Sequence, residues 1–408
     1  MEAYEILLLL SILVLFSYLF DMFARRSKIP SVLLLLGTGV GLNYLAKYFG
    51  LRLPALDILL SVLGTVGLVL IVLEGSLELS LKKEKLGLVK RALGSAFFIL
   101  LFTVGGTAWL FSYLTDQSIQ ICLLNAVPLG IISSAIAIPS AANLKGHKKE
   151  FVIYESSVSD ILGIMFFNFV IVNDTFTFSS VLNLGLETVI MLVISVVFSA
   201  LLIWLLGKIT HHVKFFLIIS MLLMVYAIGK FSHLSSLVIV LIFGIAMNNA
   251  SNVSLPFWRK YFVYPSLKKD LDQFIQLSAE SAFLLRTFFF LLFGYSMDLN
   301  KLIDYNVIVA GGSVLLIIYA VRAIYLKGFA KTDLIPELFI SPRGLISILL
   351  FLSIPETMRL NSYADGILLF IVITTSVIMT VGLMISKQNK APDSTEIAVQ
   401  TPDSVDRH

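Results

Sequence analysis

Charge is scarce in this sequence: Asp, Glu, Lys and Arg make up 14% of its residues, where a soluble domain carries about 25%. The shortage extends along nearly the whole length, so no sizeable soluble domain can be accommodated. Basic residues exceed acidic ones by only four and are nowhere concentrated, which argues against nucleic acid as a partner. There is one cysteine, Cys122, so an intramolecular disulfide framework is excluded. It lies in an apolar stretch and reads as a small buried hydrophobe. The histidines His147, His211, His212 and His233 have no ligand spacing, and neither a metal cofactor nor any other is expected. The N-terminus has no basic residue ahead of its first apolar run, so a membrane span is expected there and not a cleaved signal peptide.

What fills the chain instead is apolar sequence, 58% of residues with a mean hydropathy of +0.94. A helix needs about 20 apolar residues to cross roughly 30 Å of hydrocarbon. Thirteen such segments are predicted, at 3–24, 30–49, 56–79, 91–115, 118–142, 150–173, 181–207, 214–230, 233–249, 275–297, 305–327, 334–356 and 362–386. If the loops between them alternate sides, one side collects 22 basic residues and the other five. Cytoplasmic loops carry the excess, so the N-terminus is expected outside and the C-terminus in the cytoplasm. Residues 387–408 are polar and read as a disordered cytoplasmic tail. The expected fold is therefore an all-α, multi-pass protein embedded in the lipid bilayer.

Ionisable residues inside such segments are expensive and mark function. The sixth segment holds Glu155, Ser156, Ser159 and Asp160. At 100° per residue Ser156 and Asp160 share one helix face, while Glu155 and Ser159 share another about 140° away. Carboxylate, hydroxyl and carbonyl oxygens suit a hard cation, which makes Asp160 the candidate ligand. The fifth segment is broken by Pro139, which frees the carbonyl of Ala135, and the twelfth by Pro342, followed by Arg343 and Gly344. These segments are seven apart. Segments 1–6 and 8–13 would then be two inverted six-helix repeats with broken crossing helices, the arrangement of transporters that bind at the bilayer midplane. Arg343 keeps its charge and needs an anion; Glu155 is the expected partner, since Asp160 must stay free. Arg322 is expected to snorkel to the interface. Glu74, Glu280 and Arg286 either line a hydrated cavity or pair with one another.

Glu155-Ser156-x-x-Ser159-Asp160 resembles the Glu-Ser-x-x-Asn-Asp motif of the cation:proton antiporter superfamily, in the branch of bacterial NhaP proteins and animal sodium/proton exchangers. SPRGLISILL (341–350) is similar to that branch's Arg-Gly segment. ESAFLLRTFFFLLFGYSMDL, IPSVLLLLGTGVGL and Glu74 within VLEGSLEL also resemble family segments. The resemblance spans about 28–386. It implies that Asp160 binds cation or proton, that Ser156 and Ser159 help, and that the arginine of the Arg-Gly segment contacts Glu155. It also implies a homodimer in the plasma membrane. Its transmembrane domain, 1–386, would comprise a panel (about 3–79 and 214–299), a core (about 91–173 and 305–386) and a linker span (about 181–207), the core moving like an elevator. Where the family has Thr-Asp-Pro the chain reads Ala137-Ile138-Pro139. Ligands there are reduced to backbone carbonyls and the hydroxyls of Ser133, Ser134 or Ser140.

The expectation is electroneutral exchange of a monovalent cation, Na⁺ before K⁺ or Li⁺, for a proton. A transport-inactive cation sensor or partner subunit is the first alternative, because a family carboxylate is missing at Ile138. An intramembrane enzyme acting on glycans or lipids is the second; it is disfavoured because no loop exceeds about 27 residues.

Overall fold

The computed structural model describes residues 3–386, apart from 28–29, 51–55, 80, 82, 142–143, 145, 174–177, 210–213, 232–236, 253–263, 331–334 and 361–363. The tail 387–408, His211, His212 and His233 lie outside the described residues. The elements are α1 (Ala3–Ser27), α2 (Ser31–Tyr48), α3 (Leu56–Leu77), α4 (Leu86–Thr115), α5 (Ile119–Gly130), α6 (Ser134–Ser140) and α7 (Gly146–Val172). They continue with α8 (Phe178–Lys208), α9 (Lys214–Phe231), α10 (Leu237–Asn249), α11 (Leu267–Ser296), α12 (Tyr305–Tyr325), α13 (Leu345–Leu352) and α14 (Ala364–Ile385). Each of the thirteen predicted segments contains a helix. Eight described stretches are long and apolar enough to cross a membrane, with two shorter apolar helices at 214–229 and 237–249. Helices are the expected solution, because a span surrounded by lipid must satisfy its own backbone.

Short polar residues set several helix ends. Ser118 accepts a hydrogen bond from the Ile121 N–H ahead of α5 (3.4 Å), and Asp304 accepts from the Asn306 N–H ahead of α12 (2.8 Å). The faces that look outward are apolar. Val189, Val193 and Val197 on α8 and Leu316 and Ile324 on α12 are all exposed, as lipid contact requires.

Packing sorts the helices into two groups. In one, α11 lies against α2 and α3, and α10 lies against α3 and α8. In the other, α4 packs on α5, α7 and α12; α6 packs on α7; and α12 packs on α14. Helix α3 also touches α6, α7 and α13, so it forms the seam between the groups. Within the first group α2 and α11 cross at glycines. A Cβ on Gly39 would stand 2.1 Å from the Leu291 carbonyl oxygen, and one on Gly294 would stand 2.4 Å from that of Leu36. Only hydrogen fits on either side, and the backbones meet directly.

Two segments depart from continuous helix, and they meet. Helix α5 ends at Gly130, Ile131 is extended, and the chain resumes as α6 at Ser134. The twelfth predicted segment holds only α13, eight residues long, because 340–344 run outside any helix before it. The twelfth segment, expected to break at Pro342, is open over 340–344, a whole turn's length.

Candidate functional site

The two breaks are joined by a hydrogen bond from the Ser133 N–H to the Pro342 carbonyl (2.9 Å). Gly344 permits this closeness, since a Cβ there would lie 2.6 Å from Ile136 Cδ1 and 2.7 Å from Ser133 Oγ. Helix α7 runs past the crossing and holds it with adjacent residues. The Ile132 N–H donates to Ser159 Oγ (3.0 Å), and the Ser134 N–H donates to Asp160 Oδ2 (3.1 Å). Asp160 is fully buried. Its other oxygen, Oδ1, accepts no hydrogen bond from the described residues, and neither do the buried hydroxyls of Ser133, Ser157 and Ser347. A buried carboxylate costs several kcal/mol unless a proton, a cation or donors compensate it. This one is met by Ser134, through its N–H and its side chain, and keeps one oxygen without a partner among the described residues.

Other predicted site residues fall around this point. Ser156 is buried, and its hydroxyl donates back along its own helix to the Val152 carbonyl (2.7 Å). The carbonyls of Ala137 and Ile138 accept from the Ala141 N–H (2.9 and 3.1 Å), and the Ile138 side chain packs toward Gly75 on α3. Pro139 lies inside α6 and lacks the N–H that would reach Ala135. The freed Ala135 carbonyl instead accepts from Arg286 Nη1 of α11 (3.1 Å). Glu74, half-buried on α3, has Arg286 and Glu78 as its electrostatic neighbours. Glu280 is exposed and accepts from Gln276 (3.1 Å). Glu280 and Arg286 are not paired with each other.

The expected Glu155–Arg343 pair is not formed. Glu155 is paired with Arg322, whose Nη1 and Nη2 reach its two oxygens at 3.0 and 2.7 Å, and Ser95 donates to the same carboxylate. Arg322 also donates to the Glu337 carbonyl (2.9 Å from Nε), and it is fully buried, so the expected snorkelling is wrong too. The reason is depth. Glu155 lies five residues, about 7.5 Å, from Asp160 along α7, level with the end of α12 that carries Arg322. Arg343 sits at the crossing itself and finds its negative partner in a helix end. Nε donates to the Leu129 carbonyl (2.8 Å), Nη2 to that of Gly130 (3.2 Å) and Nη1 to that of Ser341 (2.6 Å). Leu129 and Gly130 close α5, where carbonyls lack helical donors and the dipole is negative.

A cavity of about 760 Å³ opens between the helix groups. Leu60 and Thr65 of α3, Tyr226 of α9 and Phe293 of α11 line one side; Ile164 of α7 and Leu349 of α13 line the other. Asp298, Lys301, Glu356, Arg359 and Asp365 add charge to its lining. Ile164 is one turn along α7 from Asp160. Toward the other end of α7, Phe151, Ile153 and Tyr154 are packed with Leu79, Leu88 and Ala92.

These features define a polytopic transporter with a buried carboxylate at crossed, broken helices. The family described as sodium/hydrogen exchanger, transmembrane, matches residues 10–387, and the chain belongs to that family, one of transporters and not of enzymes. The fold is similar to that of the sodium proton antiporter MjNhaP1 from Methanocaldococcus jannaschii. Against its structure at pH 8 the TM-score is 0.69 at 17% identity, covering 93% of this chain and 100% of the other. An electron-microscopy structure of the same antiporter gives 0.64 at 18% identity, covering 93% and 95%. No curated protein sequence matches the chain.

Proposed function

We propose that the chain exchanges a monovalent cation, Na⁺ before K⁺ or Li⁺, for one proton, with Asp160 carrying each in turn. The observation that carries this reading is the Asp160 carboxylate, fully buried and half-satisfied where two broken helices touch. One titratable oxygen ligand can be neutralised by a proton or by a cation but not by both. The cargo then has equal charge in both directions, and exchange is electroneutral. Glu155 and Arg322 satisfy each other and stay out of the proton count.

The breaks in α5–α6 and before α13 support two inverted repeats. The packing groups support a core (α4–α7, α12–α14) that slides along a panel (α1–α3, α9–α11) as an elevator. The cavity reaching to Ile164 and the packed Phe151–Tyr154 end support an outward-open state, with the N-terminus outside, the C-terminus inside and the chain in the plasma membrane. A second copy, docked through the panel, would complete a homodimer. A cation sensor that does not transport is favoured only by the apolar pair Ala137-Ile138. Sealed proteoliposomes with an internal pH dye separate the two. Added Na⁺ should drive proton exit, and repeating the addition with K⁺ and Li⁺ ranks the ions. A flat trace for all three supports the sensor.

A further inference from the structure

Arg286 is the residue that the antiport reading leaves without a task. It belongs to α11, yet it donates across the seam to the Ala135 carbonyl of α6 (3.1 Å). That oxygen is available because Pro139 has no N–H to give it. The preceding residue, Ser134, donates its N–H to Asp160. A permanent cation therefore rests one residue away from the group that holds the carboxylate, on an oxygen of the kind a dehydrated cation seeks. Arg286 is half-buried, so its arm is not sealed in place, and Glu74 on α3 offers it another anion. On its own helix, Glu280 is exposed and engaged with Gln276.

We propose that Arg286 is a tethered internal cation that competes with the transported cation for the Ala135 carbonyl, next to the Ser134 that holds Asp160. The proposal rests on the antiport reading. A guanidinium keeps its charge at every working pH, so it occupies the Ala135 carbonyl until an arriving cation displaces it toward Glu74. It thereby sets a high threshold of cation concentration for exchange and leaves that carbonyl only when cation is abundant.

The test is the cation dependence of proton flux in proteoliposomes for wild type, Arg286→Gln and Arg286→Lys. Arg286→Gln keeps a hydrogen-bond donor and loses the charge; its apparent KM for Na⁺ should fall about tenfold, the scale of one screened like-charge repulsion, with maximal rate little changed. Arg286→Lys should stay near wild type. Glu74→Gln, which removes the alternative anion, should raise KM in the wild-type background and leave it unchanged in Arg286→Gln. A KM in Arg286→Gln equal to or above that of wild type overturns the proposal, as does a fall in rate without a fall in KM, which marks Arg286 as a mere latch. Should Arg286→Gln not fold, an unchanged KM in Glu74→Gln overturns it instead. A wild type that moves no protons counts against the antiport reading. Na⁺-dependent thermal stabilisation of the purified protein, compared between wild type and Arg286→Gln, still reads the competition in that case.

Discussion

At the scale of residues, two buried carboxylates on one helix differ in what surrounds each. Glu155 is met by a bidentate guanidinium and a serine hydroxyl, and is a structural anion. Removing one partner of such a pair costs about 3–5 kcal/mol, since the other is left charged and uncompensated. Arg322→Gln should accordingly lower the thermal midpoint of the purified protein sharply, and Glu155→Gln should do the same. The double substitution should cost much less than the sum of the two. Additive losses in that cycle would mean that the two residues do not share a bond. Arg343 should behave differently, because its partners are backbone carbonyls and the Ser341 hydroxyl, which no substitution at Glu155 can remove. The sequence could not assign these arginines. Both lie in apolar segments, and the partner of Glu155 is 167 positions away. The choice depends on which arginine shares its depth. The partner of Arg343 is not legible in the sequence, because the negative end of α5 is invisible until the break at Gly130 is located.

At the scale of elements, the site is a product of interruptions. A continuous fifth helix would have used the Ile132 and Ser134 N–H groups internally; the break turns both toward α7. Pro139, Pro342 and Gly344 made the interruptions legible in the sequence, and so did the length of apolar chain around them. Pro342 and Gly344 stand inside the opening at 340–344, whereas Pro139 lies downstream of the opening at Ile131–Ser133, where no single residue type marks it. Nor did helical spacing foresee that neighbours Ser159 and Asp160 would both grip the crossing while Ser156 bonds back to α7. The closeness of the breaks can be tested at Gly344. In Gly344→Ala the new methyl would collide with Ile136 and Ser133. Overpacking of this kind costs about 1–3 kcal/mol. The variant should still fold, with a modestly lowered thermal midpoint, but its exchange rate should drop severalfold or more. Wild-type exchange in Gly344→Ala would show that the two breaks need not touch.

At the scale of the whole molecule, orientation and charge movement are the open quantities. The bias of basic residues predicts that the α4–α5 and α6–α7 connections face opposite sides. In a Cys122→Ser background, Gln117→Cys should react with an impermeant maleimide on intact cells. His147→Cys, exposed in the first turn of α7, should react only after the membrane is opened. Labelling of both from outside would contradict the orientation. The electroneutral scheme predicts that an imposed membrane potential leaves the rate and end point of Na⁺/H⁺ exchange unchanged. A potential-dependent end point would require a second proton carrier, for which Glu155, once released from Arg322, is the first suspect.

The central claim is that Asp160 alone carries both cation and proton. It is tested most directly by Na⁺-driven proton flux in proteoliposomes holding matched amounts of wild type and Asp160→Asn. Asparagine keeps the size of the side chain and an oxygen for the Ser134 N–H, so the variant should be folded and monodisperse. The account predicts flux in wild type and none above empty liposomes in Asp160→Asn; undiminished flux in that variant would contradict it.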